Sequence, residues 1–180
     1  MQESNSYRLN IWERAQCLST QSHIWCNIKE IRLKNISKMK SVFILSIAPR
    51  MLLETLSIDN CDELKHIIID TGDHDSGDTK LGNVFPKLKL LIIENCVLLE
   101  YIIGHYTDDR DQNQREIHLY LPALENLYLC NLPSLVTMCP KQYHMTFPPL
   151  KYLELNNCGD GTIIKVSLFL YIFVVCESNQ

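Results

Sequence analysis

The stretch FPKLKLLIIENCVLLEYII, residues 85–103, has a spacing of apolar residues that recurs along the chain. Leu88, Leu91 and Ile93 are followed by an Asn-Cys pair and then by Leu99. The same order is found in LETLSIDNCDELKHIII, residues 53–69. Self-similarity of this kind is typical of a repeat protein, in which each unit stacks on its neighbours. The five units start at Ile28, Leu53, Leu88, Leu124 and Leu150.

Each unit contains a short segment with the pattern of a half-buried strand. Side chains alternate along a strand, so two apolar residues that flank one other residue point to the same side. A single unit cannot bury that side alone, and we therefore expect the strands of successive units to pair in parallel, about 4.8 Å apart. The predicted strands are IRL (31–33), LSI (56–58), LII (91–93), LYL (127–129) and LEL (153–155).

The residues after each strand also repeat. An asparagine occupies the eighth position of every unit, and it tolerates the tight turn that the chain needs after the strand. Apolar residues at positions 9, 12 and 15 then return the chain beneath the sheet. The pattern predicts an α/β solenoid: an arc with one short-stranded parallel β-sheet on its concave face and loops and short helical turns on its convex face. The asparagines are Asn35, Asn60, Asn95, Asn131 and Asn157.

Composition narrows the function classes. Hydrophobic residues make up 46% of the chain and charged residues 21%, as in folded globular domains. The net charge of −4 argues against a nucleic-acid partner. The eight cysteines include no C-x2-C pair, so we expect no metal site. Residues 1–20 contain no apolar secretory signal, so we expect the thiols to be reduced. Without a recognisable nucleophile, phosphate loop or metal motif, we expect neither catalysis nor a cofactor.

The unit F-P-x-L-x-x-L-x-I-x-N-C-x-x-L-x-x-I-I resembles the irregular leucine-rich repeats of plant disease-resistance proteins, the intracellular nucleotide-binding receptors with an N-terminal coiled coil. The resemblance covers residues 24–158 and implies a cytoplasmic module of innate immunity. Its implied partner is a protein, either a pathogen effector or a guarded host protein, or the nucleotide-binding domain of a longer receptor. The strongly apolar run at residues 166–176 is shorter than the roughly 20 residues of a membrane-spanning helix, so we expect no membrane span. Two alternatives are the substrate-binding adaptor of a ubiquitin ligase and a truncated, non-functional paralogue.

The pattern divides the chain into three parts. Residues 1–23 form an N-terminal extension whose composition allows disorder, residues 24–158 form the repeat domain, and residues 159–180 form a divergent apolar tail. A translated intron is one hypothesis for the tail from residue 166 onward. No phosphate loop is found, which suggests a fragment, a truncated paralogue or a partial gene model. Polar insertions at 71–83 and 105–116 lengthen two units, and we expect them to be mobile loops on one side of the solenoid.

The outward side of the strands is the candidate protein-binding surface. Leu90, Ile92, Tyr128 and Tyr152 place apolar and aromatic side chains where water would otherwise be expected. Exposed patches of this type mark contact sites, and tyrosine is enriched at the energetic centres of interfaces. The predicted protein-binding residues are Arg32, Ser57, Leu90, Ile92, Asn126, Tyr128, Tyr152 and Glu154.

Overall fold

A computed structural model of the chain describes residues 27–71, 82–105 and 117–159. The predicted N-terminal extension (1–23), the tail beyond Gly159 and most of both predicted insertions lie outside these described residues. The described residues include all five predicted strands.

The main sheet has five parallel strands in the order β1-β3-β5-β8-β10, one from each repeat unit. Its register matches the repeat alignment, because Leu91 lies opposite Leu56 on one side and Leu127 on the other. The buried leucine and isoleucine positions therefore form continuous rows beneath the sheet. The strands are β1 (Glu30–Lys34), β3 (Thr55–Asp59), β5 (Leu90–Glu94), β8 (Asn126–Leu132) and β10 (Tyr152–Cys158).

The opposite side of the units differs from the prediction of loops and short helical turns. It carries a three-stranded parallel sheet, β2-β4-β6, and a two-stranded parallel sheet, β7-β9. Among the described residues, one short 3-10 helix, Ala48–Arg50, is present. The strands are β2 (Ser41–Ile44), β4 (His66–Asp70), β6 (Tyr101–His105), β7 (Ile117–Tyr120) and β9 (Tyr143–Thr146).

The physical reason for these extra sheets lies in segments such as HIIID and YIIGH. They are rich in β-branched residues, which suit a pleated surface better than a helix. Stacking then places each segment beside its counterpart in the next unit, where Ile68 pairs with Ile103. Since the backbone groups find partners across units, the chain needs no helix to satisfy them. The arrangement is a strand-rich repeat fold with parallel sheets, and the solenoid arc itself stays a prediction.

The core lies between the main sheet and the strands opposite. The side chains at positions 12 and 15 of the first four units are all buried, as the spacing predicted. Phe43 and Phe85 pack edge to face within this core, with ring centroids 5.1 Å apart. Cys61 and Cys96 are free thiols with no exposed surface, so they act as small apolar residues at a stacking position.

The five asparagines adopt the left-handed conformation at the ends of the strands: three follow β1, β3 and β5 directly, and two are the next-to-last residues of β8 and β10. Their φ angles are 56°, 54°, 54°, 54° and 50°, values that asparagine tolerates better than most residues. Their side chains also link the units: the Asn131 amide donates to Asn95 at 2.9 Å, and the Asn157 amide donates to Asn131 at 2.8 Å. This row of hydrogen bonds fixes the turn of each unit against the next.

Candidate functional site

The outer face of the main sheet carries all eight predicted protein-binding residues. Strand alternation directs them away from the core, because each one adjoins a buried residue of the same strand. The parallel register arranges this face in rows that cross the five strands. The central row is Arg32, Ser57, Ile92, Tyr128 and Glu154.

An apolar and aromatic patch occupies the face of β5, β8 and β10. The rings of Tyr128 and Tyr152 stack with centroids 4.9 Å apart and an interplanar angle of 27°. Ile92 lies beside Tyr128 in the same row, and Leu90 lies beside Asn126 in the row below. Tyr152 is 42% exposed, although it is one of the largest apolar side chains on the sheet. These four residues, Leu90, Ile92, Tyr128 and Tyr152, are called the aromatic patch below.

Acidic side chains border the aromatic patch. Glu154 accepts a hydrogen bond from the Tyr152 hydroxyl at 3.2 Å and one from the Cys130 thiol at 3.6 Å. The hydrogen bond to Glu154, with its negative charge, raises the pKa of Tyr152. Burial raises the pKa of Cys130 to about 11, with further contributions from Glu154 and Glu94. The Cys130 thiol and the Tyr152 hydroxyl are therefore neutral hydrogen-bond donors near pH 7.

At the other end of the sheet, opposite charges pair with one another. Arg32 pairs with Glu30 on the same strand, and Lys34 pairs with Asp59 of the next unit at 2.8 Å. Hydrogen bonds from Asn95 and Lys34 hold the pKa of Asp59 below its ordinary value. The face of the first two units is thus polar and internally neutralised, unlike the face of units three to five.

A row of alternating lysine and glutamate side chains lies just before the strands of the main sheet. The ion pairs within this row were not predicted from the sequence. Lys29 and Lys89 both pair with Glu54, at 3.5 Å and 3.2 Å, and Lys151 pairs with Glu125 at 2.9 Å. These exposed ion pairs contribute little to stability individually. Their regular alternation of sign supports the order in which the units stack.

A second exposed apolar cluster lies just after the asparagine turn of units three and four. Val97, Leu98 and Val136 are each more than two-fifths exposed, and the Ser134 hydroxyl donates to the Val97 carbonyl at 2.7 Å. These positions were not predicted to be functional, although units one and two carry polar residues there. That difference between units is the signal that could have identified the cluster.

Other polar side chains of the described residues lie in the second and third sheets. The Tyr143 hydroxyl donates to the buried Asp70 carboxylate at 2.7 Å and lies 3.2 Å from His105 Nδ1. Burial, together with the hydrogen bond to Asp70, raises the pKa of Tyr143. No group of three or more His, Cys, Asp or Glu side chains within 27–71, 82–105 and 117–159 is arranged to hold a metal ion.

The repeated parallel strands, with an asparagine turn after each, define the class of leucine-rich-repeat proteins. Residues 63–164 match the family described as plant disease resistance protein RPS2-like, leucine-rich repeats. The chain belongs to this family, which confirms the resemblance seen in the repeat unit. No solved structure matches the chain.

A relative agrees with the family assignment. The chain is 27% identical over 137 residues to the putative late blight resistance protein homolog R1B-16 of Solanum demissum. The match covers 76% of this chain and 9% of the relative, so the chain spans a small part of that protein's length. In the part of the chain that the structure describes, no helix is both long and apolar enough to cross a membrane.

Proposed function

We propose that the chain is the protein-recognition module of a plant innate immune receptor and that it binds a pathogen effector or a guarded host protein. The observation that carries the proposal is the stacked pair of the half-buried Tyr128 and the exposed Tyr152, beside Ile92 on the outer face of the main sheet. Aromatic side chains on a rigid sheet bury a large area on binding and lose little conformational freedom.

The nature of the outer face supports recognition rather than catalysis. The aromatic patch offers an apolar centre, and polar residues such as Asn126 and Glu154 border it, as in protein interfaces. In this proposal, the module lies in the cytoplasm and binds its partner without a cofactor. In a longer receptor, the nucleotide-binding domain is a second proposed partner of the same face.

The family match and the relative favour the receptor over the two alternatives that the sequence left open. Both describe resistance proteins, and neither points to a ubiquitin-ligase adaptor. A truncated, non-functional paralogue would need no defined binding face, whereas these strands present two stacked tyrosine rings from neighbouring units.

The test replaces Tyr128 and Tyr152 with alanine in a receptor that contains this chain. We expect the effector-triggered defence response to be lost, because removal of an aromatic residue at an interface centre costs about 2 kcal/mol or more. Val136→Ala is the control, since it removes an exposed apolar side chain away from the main sheet. A full response from the double variant, with unchanged circular dichroism, would contradict the proposal.

A further inference from the structure

The two halves of the outer face differ in how their charges are matched. In the first two units, Arg32 and Lys34 are each paired with a carboxylate. In units three to five, Glu94 and Glu154 lie on the same face, and no lysine or arginine of the described residues forms an ion pair with either. Lys34, which is paired with Asp59, also interacts electrostatically with Glu94 but forms no ion pair with it. The aromatic patch is therefore bordered by two carboxylates that have no ion-pair partner among the described residues.

These two carboxylates converge on one place between β5 and β10. Glu94 lies opposite Cys130 in the register of β5 and β8, while Glu154 on β10 accepts a hydrogen bond from the Cys130 thiol at 3.6 Å. Both negative charges contribute to the raised pKa of Cys130, which agrees with their closeness to its sulfur. Tyr128 precedes Cys130 by two residues, so its ring projects from the same side of the same strand.

We propose that the partner of this surface presents an arginine next to an apolar side chain, with the arginine seated over Tyr128 between Glu94 and Glu154 and the apolar side chain on Ile92 and Leu90. This inference rests on the proposed function and names the chemistry of its partner. A positively charged partner group fits this surface, because an acidic group on the partner would be repelled by Glu94 and Glu154.

The aromatic stack favours arginine among the cations. A guanidinium group is planar, so it stacks on a tyrosine ring while its edges donate hydrogen bonds to carboxylates. Paired carboxylates on two sides match the forked donors of one arginine. Lysine carries a compact, strongly hydrated charge and gains less from the stacked rings of Tyr128 and Tyr152.

The experiment selects short random peptides displayed on phage against the immobilised full chain. Fluorescein-labelled copies of the selected peptides are then titrated with the chain, and binding is measured by fluorescence anisotropy. We expect selected peptides to share an arginine beside an apolar residue. Replacing that arginine with citrulline, a neutral residue of nearly equal shape, should weaken binding about tenfold or more, and this comparison leaves the protein unaltered.

The variant Glu94→Gln/Glu154→Gln should weaken the arginine peptides about tenfold and abolish the preference for arginine over citrulline. Glu63→Gln is the matched control, because it removes an exposed carboxylate away from the outer face and should leave binding unchanged. Peptides that need Tyr128 but lack arginine, or that bind equally with citrulline, would overturn this inference and leave the proposed function standing. Peptides indifferent to Tyr128→Ala, or no selected peptide at all, would overturn both.

Discussion

The alternation of buried and outward residues in β5 makes a direct prediction for two adjacent positions, Leu91 and Ile92. Leu91 is 3% exposed and lies between Leu56 and Leu127 in the row beneath the sheet. Replacing it with alanine removes three buried carbon atoms, a loss of about 2.4 kcal/mol at about 0.8 kcal/mol per carbon. The cavity that remains brings the expected destabilisation to about 3–4 kcal/mol.

This cost is a large part of the 5–15 kcal/mol that is usual for a folded domain. At about 1.4 kcal/mol per tenfold change, the ratio of folded to unfolded protein should fall roughly 300-fold. Urea unfolding followed by circular dichroism measures the change. Leu91→Asp should prevent folding altogether, because it would place an unpaired charge in the core.

Ile92→Ala is the internal control for the same strand. Ile92 lies on the outer face, and its truncation should cost about 1 kcal/mol or less, the range of strand propensities. Equal destabilisation by Ile92→Ala and Leu91→Ala would contradict the assignment of Leu91 to the core and Ile92 to the outer face. The same holds if Leu91→Ala changes the unfolding midpoint no more than a surface substitution does.

Three further predictions concern single contacts. Asn95→Ala removes the first of the hydrogen bonds that lower the pKa of Asp59, so that pKa should rise toward its ordinary value of 3.8, as an NMR titration of the carboxyl carbon would show. Because the pKa of Asp59 is lower in the folded state, the stability that this carboxylate contributes is present above about pH 4 and is lost as the pH falls through the folded pKa. The variant should therefore lose less stability on acidification than the parent chain. An unchanged titration of Asp59 would contradict this prediction. Gly104→Ala would place a Cβ against the imidazole ring of His66, so it should destabilise the chain by about 1–3 kcal/mol. A His66→Ala background should remove most of that cost, and equal costs in both backgrounds would count against the contact. Tyr143→Phe leaves a buried aspartate without one donor and should cost about 1–3 kcal/mol in urea unfolding, whereas unchanged stability would show that the bond contributes nothing.

The main sheet could be predicted from the sequence because its determinants are local. Alternation in a segment such as LLI (91–93) decides which side chains point inward, and the following asparagine marks the end of the strand. Repetition of the pattern then implies that successive strands pair in the same register. For the same reason, the predicted residues of the outer face, among them Ile92 and Tyr128, all lie on one side of the sheet.

The second and third sheets were not predicted, and the reason is physical. Segments such as HIIID (66–70) and YIIGH (101–105) are short apolar runs, and periodicity alone does not distinguish a buried strand from a helical turn in a run of that length. Their conformation is decided by the neighbouring unit, which supplies the backbone partners.

The sequence by itself determined the repeat, the strand faces and the asparagine turns, because each depends on residues a few positions apart. The tertiary structure decided which side chains meet across units of unequal length. The stack of Tyr128 on Tyr152, the hydrogen bond from the Cys130 thiol to Glu154 and the position of Glu94 opposite Cys130 are contacts of this kind. They depend on the distance between neighbouring strands and on a register held by every unit at once, and no single segment of the chain contains that information.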